Sequence, residues 1–224
     1  MSYTLPIKSI EHVTHDVRQF TFDKPEGYTF EPGQATEVAI NKDGWRDEKR
    51  PFTFTSLNED PNLQFIIKIY EDHDGVTDQI GQLEVGDDFI IDDAWGTIQY
   101  KGPGVFLAGG AGVTPFIAIL RQLHKEEKLE GNKLIFSNTT PKDVILRGEF
   151  ERMLDEDFIS VVTDENGSEN DIFLDGFIDK EFLADHIDEF SQPFYVCGPP
   201  AFNDNMMEYL KELGADPDGL VFEE

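Results

Sequence analysis

The segment that most constrains the fold is an apolar run that enters a glycine-rich turn and then a helix start, Val105-Phe106-Leu107-Ala108-Gly109-Gly110-Ala111-Gly112-Val113-Thr114-Pro115. Glycines let a backbone approach a pyrophosphate closely, and the free amides and positive end of the following helix favour its negative charge. Pro115 suits a first helical turn. A tight strand–helix junction without a ligand has the same pattern, so the surrounding chain has to distinguish the two interpretations.

The chain after this turn alternates between strand and helix patterns. The predicted strands begin at Val105 and cover 133–137, 159–163 and 193–197, and the predicted helices cover 115–128, 147–155, 180–190 and 201–213. Such alternation is typical of a doubly wound parallel sheet, which binds its ligands at the carboxyl ends of the strands. The glycine turn therefore opens an α/β domain, and this position favours the nucleotide-binding interpretation.

The first hundred residues have a different pattern. Short alternating strands cover 7–13, 17–22, 35–40, 50–56 and 65–70, and turns rich in Pro, Gly and Asp separate them. This pattern predicts an antiparallel barrel or sandwich. The change occurs near Lys101-Gly102-Pro103-Gly104, so we expect two domains, at 1–101 and 102–224.

Charge and cysteine content exclude several classes of function. A formal net charge of −28 argues against binding to nucleic acid or an anionic membrane. No apolar run approaches the roughly 20 residues of a membrane span, and the first residues have no signal-peptide pattern, so we expect a cytoplasmic protein. Cys197 is the single cysteine, so this chain alone can form no disulfide and no four-cysteine iron–sulfur cluster, and we expect no metal site.

Three further motifs suit cofactor chemistry. Arg50-Pro51-Phe52-Thr53 places a permanent charge, an aromatic ring and a hydroxyl on one strand, which can bind a phosphate, stack on a planar ring and hydrogen-bond a heteroatom. Gly75-Val76-Thr77 offers amides and a hydroxyl at a helix start. Cys197-Gly198-Pro199-Pro200 follows the last predicted strand. Each motif also has a purely structural interpretation: an edge strand, a helix cap and a buried cysteine.

In their order along the chain, the four motifs resemble those of the ferredoxin–NADP reductase superfamily. The resemblance covers nearly the whole chain. It implies an antiparallel FAD-binding β-barrel followed by a doubly wound parallel-sheet NAD(P)-binding domain. It also implies that the chain takes hydride from NAD(P)H onto a bound FAD. The chemistry belongs to the flavin, which accepts two electrons together and releases them singly, so the residues act mainly by positioning.

The resemblance assigns roles to individual residues of the first domain. Arg50 would pair with the FAD pyrophosphate, Phe52 would lie against the isoalloxazine ring, and Thr53 would hydrogen-bond near its reactive N5 and so assist catalysis. Further flavin contacts are expected from Pro51, Ile67, Lys68, Tyr70, Gly75, Val76 and Thr77.

In the second domain the resemblance assigns the nicotinamide nucleotide to two turns. The dinucleotide would be held by Gly110, Gly112, Val113, Thr114 and Pro115, and the nicotinamide would be brought to the flavin by Cys197, Gly198 and Pro199, with Cys197 in a catalytic position. At the carboxyl end, Phe222 could reach the flavin and Glu223 could act as a catalytic proton donor. A frayed acidic tail is the alternative for these last residues.

The segment from Ser137 to Arg147 is similar to one in cytochrome b5 reductases and related NADH-using members, and it adds Asn138 to the expected nucleotide contacts. This similarity favours NADH. An NADPH enzyme would place basic groups on the 2′-phosphate, and Lys142 and Arg147 could serve that purpose.

The expected function is a flavin-dependent reductase that works as a monomer and passes single electrons to a separate ferredoxin, which could serve a monooxygenase. Alternatives are a flavodoxin, cytochrome or free flavin/quinone reductase, or an electron-transfer subunit of a larger complex. Because ferredoxins are usually acidic, docking requires a local basic patch. The candidates for that patch are Lys42, Arg46, Lys49, Lys101 and Lys125.

Overall fold

The structure is a computed structural model that describes residues 1–71, 74–96, 98–164, 173–216 and 219–222. It divides into two compact units. Unit 1 comprises Met1–Thr97 and Thr114–Gln122, and unit 2 comprises Ile98–Val113 and Leu123–Glu224. The domain boundary at 101/102 stays a prediction.

Unit 1 contains an antiparallel barrel, the short helix α1 (Val76–Gly81) and the Thr114–Gln122 part of a later helix. Its strands are β1 (Tyr3–His12), β2 (Val17–Asp23), β3 (Gln34–Ile40), β4 (Arg50–Thr53), β5 (Asn62–Lys68), β6 (Asp88–Ile91) and β7 (Trp95–Gly96). The strand order is β4-β3-β6-β1-β2-β5, and β7 also pairs with β3. The amide of Thr55, just beyond β4, donates to the carbonyl of Gln64 on β5 at 2.9 Å, which nearly closes the barrel. The barrel prediction is therefore confirmed.

Phenylalanine rings fill the barrel because alternate residues of each strand face its interior. The Phe54 ring lies 4.3 Å from the ring of Phe30 and 5.1 Å from that of Phe65, between centroids. Phe22 and Phe89 approach to 5.0 Å, and neither has exposed surface. Seven of the 19 Phe of the sequence lie in this half of the chain, and six of them are buried in the barrel core.

Unit 2 contains a parallel sheet. Its strands are β8 (Val105–Gly109), β9 (Lys133–Asn138), β10 (Phe158–Val162), β11 (Leu174–Asp175), β12 (Phe194–Cys197) and β13 (Leu220–Phe222). The helices that follow β8 along the chain are α2 (Thr114–Lys125), α3 (Arg147–Leu154), α4 (Lys180–His186) and α5 (Pro200–Glu212), and most of α2 belongs to unit 1. The strand order is β11-β10-β9-β8-β12-β13, and the described pairs are parallel. The doubly wound fold is confirmed.

Two features of this sheet position the site. The chain leaves β8 for β9 on one side, whereas β12 occupies the other side, so the strand order reverses between β8 and β12. Ligands of open α/β sheets bind at such a switch point, outside the carboxyl ends of the strands. Both glycine-containing motifs of unit 2 follow the carboxyl ends of these two strands.

Four short strands, β6, β7, β11 and β13, were not predicted from the sequence. The alternative of a frayed acidic tail is wrong for 220–222, because β13 pairs in parallel with β12 and buries Leu220 and Val221 to 7% and 6% exposure. Among the described residues, no helix has the length and apolar character needed to cross a membrane.

Candidate functional site

Arg50, at the start of β4, is suited to binding a phosphate. Its side chain is 52% exposed. One guanidinium nitrogen, Nη1, donates to the carbonyl of Lys49 at 2.7 Å, while Nη2 lies 3.9 Å from the carboxylate of Glu48. A guanidinium with five donors and so few partners retains most of its capacity for an anionic ligand.

Phe52 and Thr53 point to opposite faces of β4, as the sequence predicts. Phe52 pairs with Thr36 and packs partly against the barrel core, whereas Thr53 pairs with Ala35. The Thr53 side chain is buried, with 7% exposed, and its hydroxyl makes no hydrogen bond to any residue that the structure describes. This hydroxyl is not one of the fully buried polar atoms that lack a partner, so it can be solvated and is available to hydrogen-bond a ligand. Pro51, between them, is exposed.

The end of β5 presents a lysine and a tyrosine. Lys68 Nζ forms an ion pair with Asp16 at 2.9 Å and lies 5.9 Å from the ring centroid of Tyr70, which is 46% exposed. Burial of Asp16 opposes its ionisation, yet hydrogen bonds from Lys68 and Thr14 prevail and lower the pKa of this carboxyl. Ile67 is 1% exposed and belongs to the core, so any flavin contact of Ile67 has to come from its backbone.

Helix α1 begins at the third motif. Its N-cap residue is Gly75, and no side chain caps the first-turn amides. Val76 is buried at 3% exposure and fixes the helix on the barrel. Thr77 is half-buried, and its hydroxyl makes no hydrogen bond within the described residues. The first-turn amides and the Thr77 hydroxyl are the groups expected to bind a phosphate, and this role stays a prediction.

The two turns of unit 2 lie directly against each other. A Cβ on Gly112 would lie 2.3 Å from the carbonyl oxygen of Cys197 and 2.6 Å from the amide nitrogen of Gly198. Gly109 and Gly198 also approach each other, since a Cβ on Gly198 would lie 3.2 Å from Cα of Gly109. Glycine is therefore required by close backbone packing at the switch point, before any ligand is considered.

The succession of strand, turn and helix around these residues follows the sequence prediction. Gly110, with φ +52°, opens a single 3-10 turn that ends at Val113, and α2 begins at Thr114 with Pro115 in its first turn. Cys197 is the last residue of β12 and is 5% exposed. Pro199 precedes the first residue of α5.

Asn138 is the clearest polar candidate in unit 2. It ends β9, beside the Ser137–Gly109 pairing that joins β9 to β8. The side chain is 5% exposed, and neither its amide nitrogen nor its oxygen has a hydrogen-bond partner among the described residues. A buried amide without partners is unfavourable by itself, so its position fits a polar ligand group at the carboxyl edge of the sheet.

Arg147 is engaged by protein groups. Its Nε lies 2.6 Å from the carboxylate of Glu151, and its guanidinium stacks 4.3 Å from the ring centroid of Phe173. Lys142 is exposed, in a turn in which Thr140 and Asp143 form a capping box. The 2′-phosphate role considered for Arg147 would thus require two existing contacts to be given up.

Three of the five residues proposed for a basic patch are paired with carboxylates. Lys42 binds Asp87 at 2.8 Å, and Arg46 binds Asp43 at 2.6 Å. Lys49 binds Asp92 at 2.5 Å, and this hydrogen bond raises the pKa of the lysine. These three cations therefore do not form the unopposed positive surface that docking of an acidic protein requires.

Two predicted site residues, Phe222 and Glu223, lie at the carboxyl end of the chain. The backbone of Phe222 pairs with Val196, but its side chain and the whole of Glu223 lie outside the described residues. Sequence reasoning missed Phe202 of α5, whose ring lies where a Cβ on Gly109 or Gly198 would meet it, because nothing local marks that position. It also missed Trp95 of β7, whose neighbours depend on how β7 pairs with β3.

Family models match both halves of the chain. An oxidoreductase FAD-binding domain matches residues 4–100, and an oxidoreductase NAD-binding domain matches residues 106–208. NADH-cytochrome b5 reductase 2 of Lodderomyces elongisporus is 30% identical, over 88% of this chain and 70% of that protein. The glycine betaine monooxygenase reductase subunit of Chromohalobacter salexigens is 29% identical, over 91% of this chain and 58% of that protein.

The fold agrees with solved structures. A ferredoxin NADP+ reductase from Neisseria gonorrhoeae with bound FAD and NADP superposes with a TM-score of 0.85 and 21% identity, over 99% of this chain and 98% of that chain. At this identity the likeness shows the shared fold.

Proposed function

Because the chain belongs to the ferredoxin–NADP reductase superfamily and is an NAD(P)H-dependent flavoprotein oxidoreductase with bound FAD, we propose that it oxidises NADH and passes single electrons to a separate small redox protein. The observation that carries the proposal is a pair of buried polar side chains, one in each unit. The Thr53 hydroxyl and the Asn138 amide lack partners within the described residues and lie on the predicted flavin and nucleotide motifs. Bound dinucleotides would satisfy both.

The residues of unit 1 hold the flavin in this proposal. Arg50 binds the pyrophosphate with its exposed guanidinium, Phe52 lies against the ring, and Thr53 hydrogen-bonds near N5. Backbone amides at Gly75 to Thr77 bind phosphate oxygens. FAD supplies the redox chemistry, since it accepts a hydride and releases electrons singly.

The residues of the α/β half of the chain, from Gly110 onward, hold the nicotinamide nucleotide. The turn from Gly110 to Pro115 receives the pyrophosphate, Asn138 hydrogen-bonds a polar group of the nucleotide, and Cys197 and Gly198 position the nicotinamide. Hydride transfer requires reacting atoms about 3–3.5 Å apart, so small displacements of these residues are expected to slow reduction without abolishing FAD binding.

The preference for NADH is supported by the contacts of Arg147. This arginine is bound by Glu151 and Phe173, so it would have to leave both to meet a 2′-phosphate. We expect kcat/KM for NADH to exceed that for NADPH. Steady-state assays with both coenzymes and a common acceptor measure the ratio, and a preference for NADPH would contradict this assignment.

The acceptor is proposed to be a ferredoxin, with a cytochrome, a flavodoxin or a free flavin as alternatives. Cys197 is the single cysteine of these 224 residues, so they cannot by themselves hold a four-cysteine iron–sulfur cluster. The similar proteins named above include a cytochrome b5 reductase and a monooxygenase reductase subunit. Because Lys42, Arg46 and Lys49 are each paired with a carboxylate, an acidic partner would have to displace these carboxylates to bind the three cations.

The test is anaerobic stopped-flow reduction of the purified yellow protein. NADH should bleach the flavin bands, and a ferredoxin should then reoxidise the flavin in one-electron steps. Cytochrome b5, flavodoxin and free FMN are run as competing acceptors. Rapid turnover with free FMN and none with ferredoxin would remove the proposed acceptor, and protein that takes up no flavin would remove the whole proposal.

A further inference from the structure

Trp95 lies in the same row of the barrel as Thr53. The Cα partner of Trp95 on β3 is Ala35, and the partner of Ala35 on the other side is Thr53 of β4. Side chains directly opposite each other in antiparallel strands point to the same face of a sheet. The indole, the Ala35 methyl and the Thr53 hydroxyl therefore share one face.

The spacing in this row suits a planar ligand. Neighbouring strands lie about 4.8 Å apart, so Trp95 and Thr53 are separated by roughly two such spacings, or about 10 Å. Ala35, the small residue between them, is 4% exposed and places only a methyl on this face. A planar ring that met Thr53 at one edge and extended along this face would reach the indole.

The position of Trp95 is fixed by its neighbour in the chain. A Cβ on Gly96 would lie 2.5 Å from Cγ and 3.0 Å from Cα of Gln34, so β7 can pair with β3 only because residue 96 is glycine. Despite this close pairing, Trp95 remains 39% exposed. Trp45, the other tryptophan, packs partly against the barrel core instead.

We propose that Trp95 is a flavin-contacting residue whose indole lies against the edge of the isoalloxazine ring that Thr53 holds. This inference rests on the proposed role of Thr53. It adds a residue that none of the four cofactor motifs contains. Contact between the rings stabilises the bound flavin, since aromatic pairs gain free energy beyond the area that they bury.

The contact has a spectroscopic consequence. An indole touching a flavin quenches its fluorescence, because the excited ring takes an electron from the indole and then returns it. This process needs near contact, so a tryptophan elsewhere in the protein does not cause it. The bound flavin of the wild-type protein should consequently have a short fluorescence lifetime.

The experiment compares Trp95→Phe with Trp45→Phe as the matched control, each in a Tyr70→Phe background and saturated with FAD, because a tyrosine in contact with the flavin also quenches it. Trp95→Phe should lengthen the flavin lifetime several-fold, and Trp45→Phe should leave it unchanged. Gly96→Ala, which retains the indole but displaces β7, should also lengthen the lifetime. In addition, Trp95→Ala should raise the FAD dissociation constant about 2- to 10-fold.

Suppose that Trp95→Phe is yellow and is reduced by NADH but keeps the wild-type flavin lifetime. The inference is then overturned, while the proposed function stands. Wild-type protein that binds no FAD would overturn both. Should Trp95→Phe fail to fold, oxidation of wild-type protein by N-bromosuccinimide provides a second measurement. Peptide mass spectrometry should show that FAD protects Trp95 but not Trp45, and equal oxidation of Trp95 with and without FAD would overturn the inference.

Discussion

Arg50 illustrates how a single residue becomes available for a cofactor. Most neighbouring cations of unit 1 are neutralised, as with Arg46, whose Nη1 lies 2.6 Å from Asp43. Arg50 instead has a carbonyl partner on Lys49 and a carboxylate only at 3.9 Å. The difference between the two arginines is one of local partners rather than residue type.

We expect Arg50→Ala to weaken FAD binding by roughly 10- to 100-fold, since a hydrogen bond to a charged group contributes about 1.5–3 kcal/mol. Arg46→Ala, the control from the same loop, should change the dissociation constant by no more than about twofold. Titration of the two apoproteins with FAD gives both constants. Equal weakening in the two variants would indicate a general charge effect and not a phosphate contact.

Tyr28 connects stability to alkaline pH. It is 4% exposed, and its hydroxyl donates to the carbonyl of Asp92 at 2.8 Å. Burial, the largest cause, raises the pKa of Tyr28 to about 12, from an ordinary value of 10.0. Because the folded state keeps the proton to a higher pH than the unfolded state does, the stabilisation is complete below pH 10 and is lost as the pH rises towards 12.

The free energy of unfolding should therefore fall between about pH 10 and about pH 12, and fall less steeply in Tyr28→Phe. Urea unfolding at several pH values in this range measures both slopes. Tyr209→Phe, on α5, is the control for removing a tyrosine hydroxyl elsewhere in the chain. The assignment to Tyr28 would be wrong if the Tyr28→Phe slope matched that of the wild-type protein.

At the scale of elements, the switch point of unit 2 depends on two turns that share one space. The turn after β8 rests on the end of β12, with Gly112 over the Cys197 carbonyl. The contact is between backbones, which cannot move aside as a flexible side chain can. The two motifs are therefore coupled, and a change in one turn should displace the other.

We expect Gly112→Ala to destabilise the protein by about 1–3 kcal/mol, as overpacking does, and to slow reduction by NADH while FAD stays bound by unit 1. Gly148→Ala in α3 is the control, because its Cβ would meet only the Arg152 side chain at 3.4 Å, and it should leave stability equal or slightly higher. Thermal unfolding and stopped-flow reduction measure the two effects. Gly112→Ala protein with wild-type stability and reduction rate would contradict the packing argument.

At the scale of the whole molecule, the charge is the dominant property. The sequence has 46 Asp and Glu against 18 Lys and Arg, a net charge of −28. Several of the described cations are paired locally with carboxylates, so the remaining acidic groups repel one another across the surface. Self-repulsion of this kind opposes the compact state.

Salt should therefore stabilise the protein. We expect Tm to rise by several degrees between about 0.05 M and about 1 M NaCl, because the screening length shortens from above 10 Å to about 3 Å. Choline chloride at equal ionic strength is the control and should have the same effect, since screening does not depend on the cation. A Tm that is constant or falls in both salts would contradict the repulsion argument.

The sequence by itself determined the division into a barrel and an α/β domain, since hydrophobic period and glycine position are local properties of the chain. It also determined the four motifs and the alternation of Phe52 and Thr53 on β4, because side-chain direction in a strand follows from backbone geometry. It could not identify the two-residue strands β7 and β11, which have no measurable period and exist only through pairing with β3 and β10.

Only the tertiary structure decided which groups are satisfied and which neighbours meet. The pairing of Lys42 with Asp87, the isolation of the Asn138 amide and the row from Trp95 to Thr53 join segments far apart in the chain. Ion pairs, buried hydrogen bonds and cross-strand contacts depend on distances that folding sets, so no local pattern could indicate them.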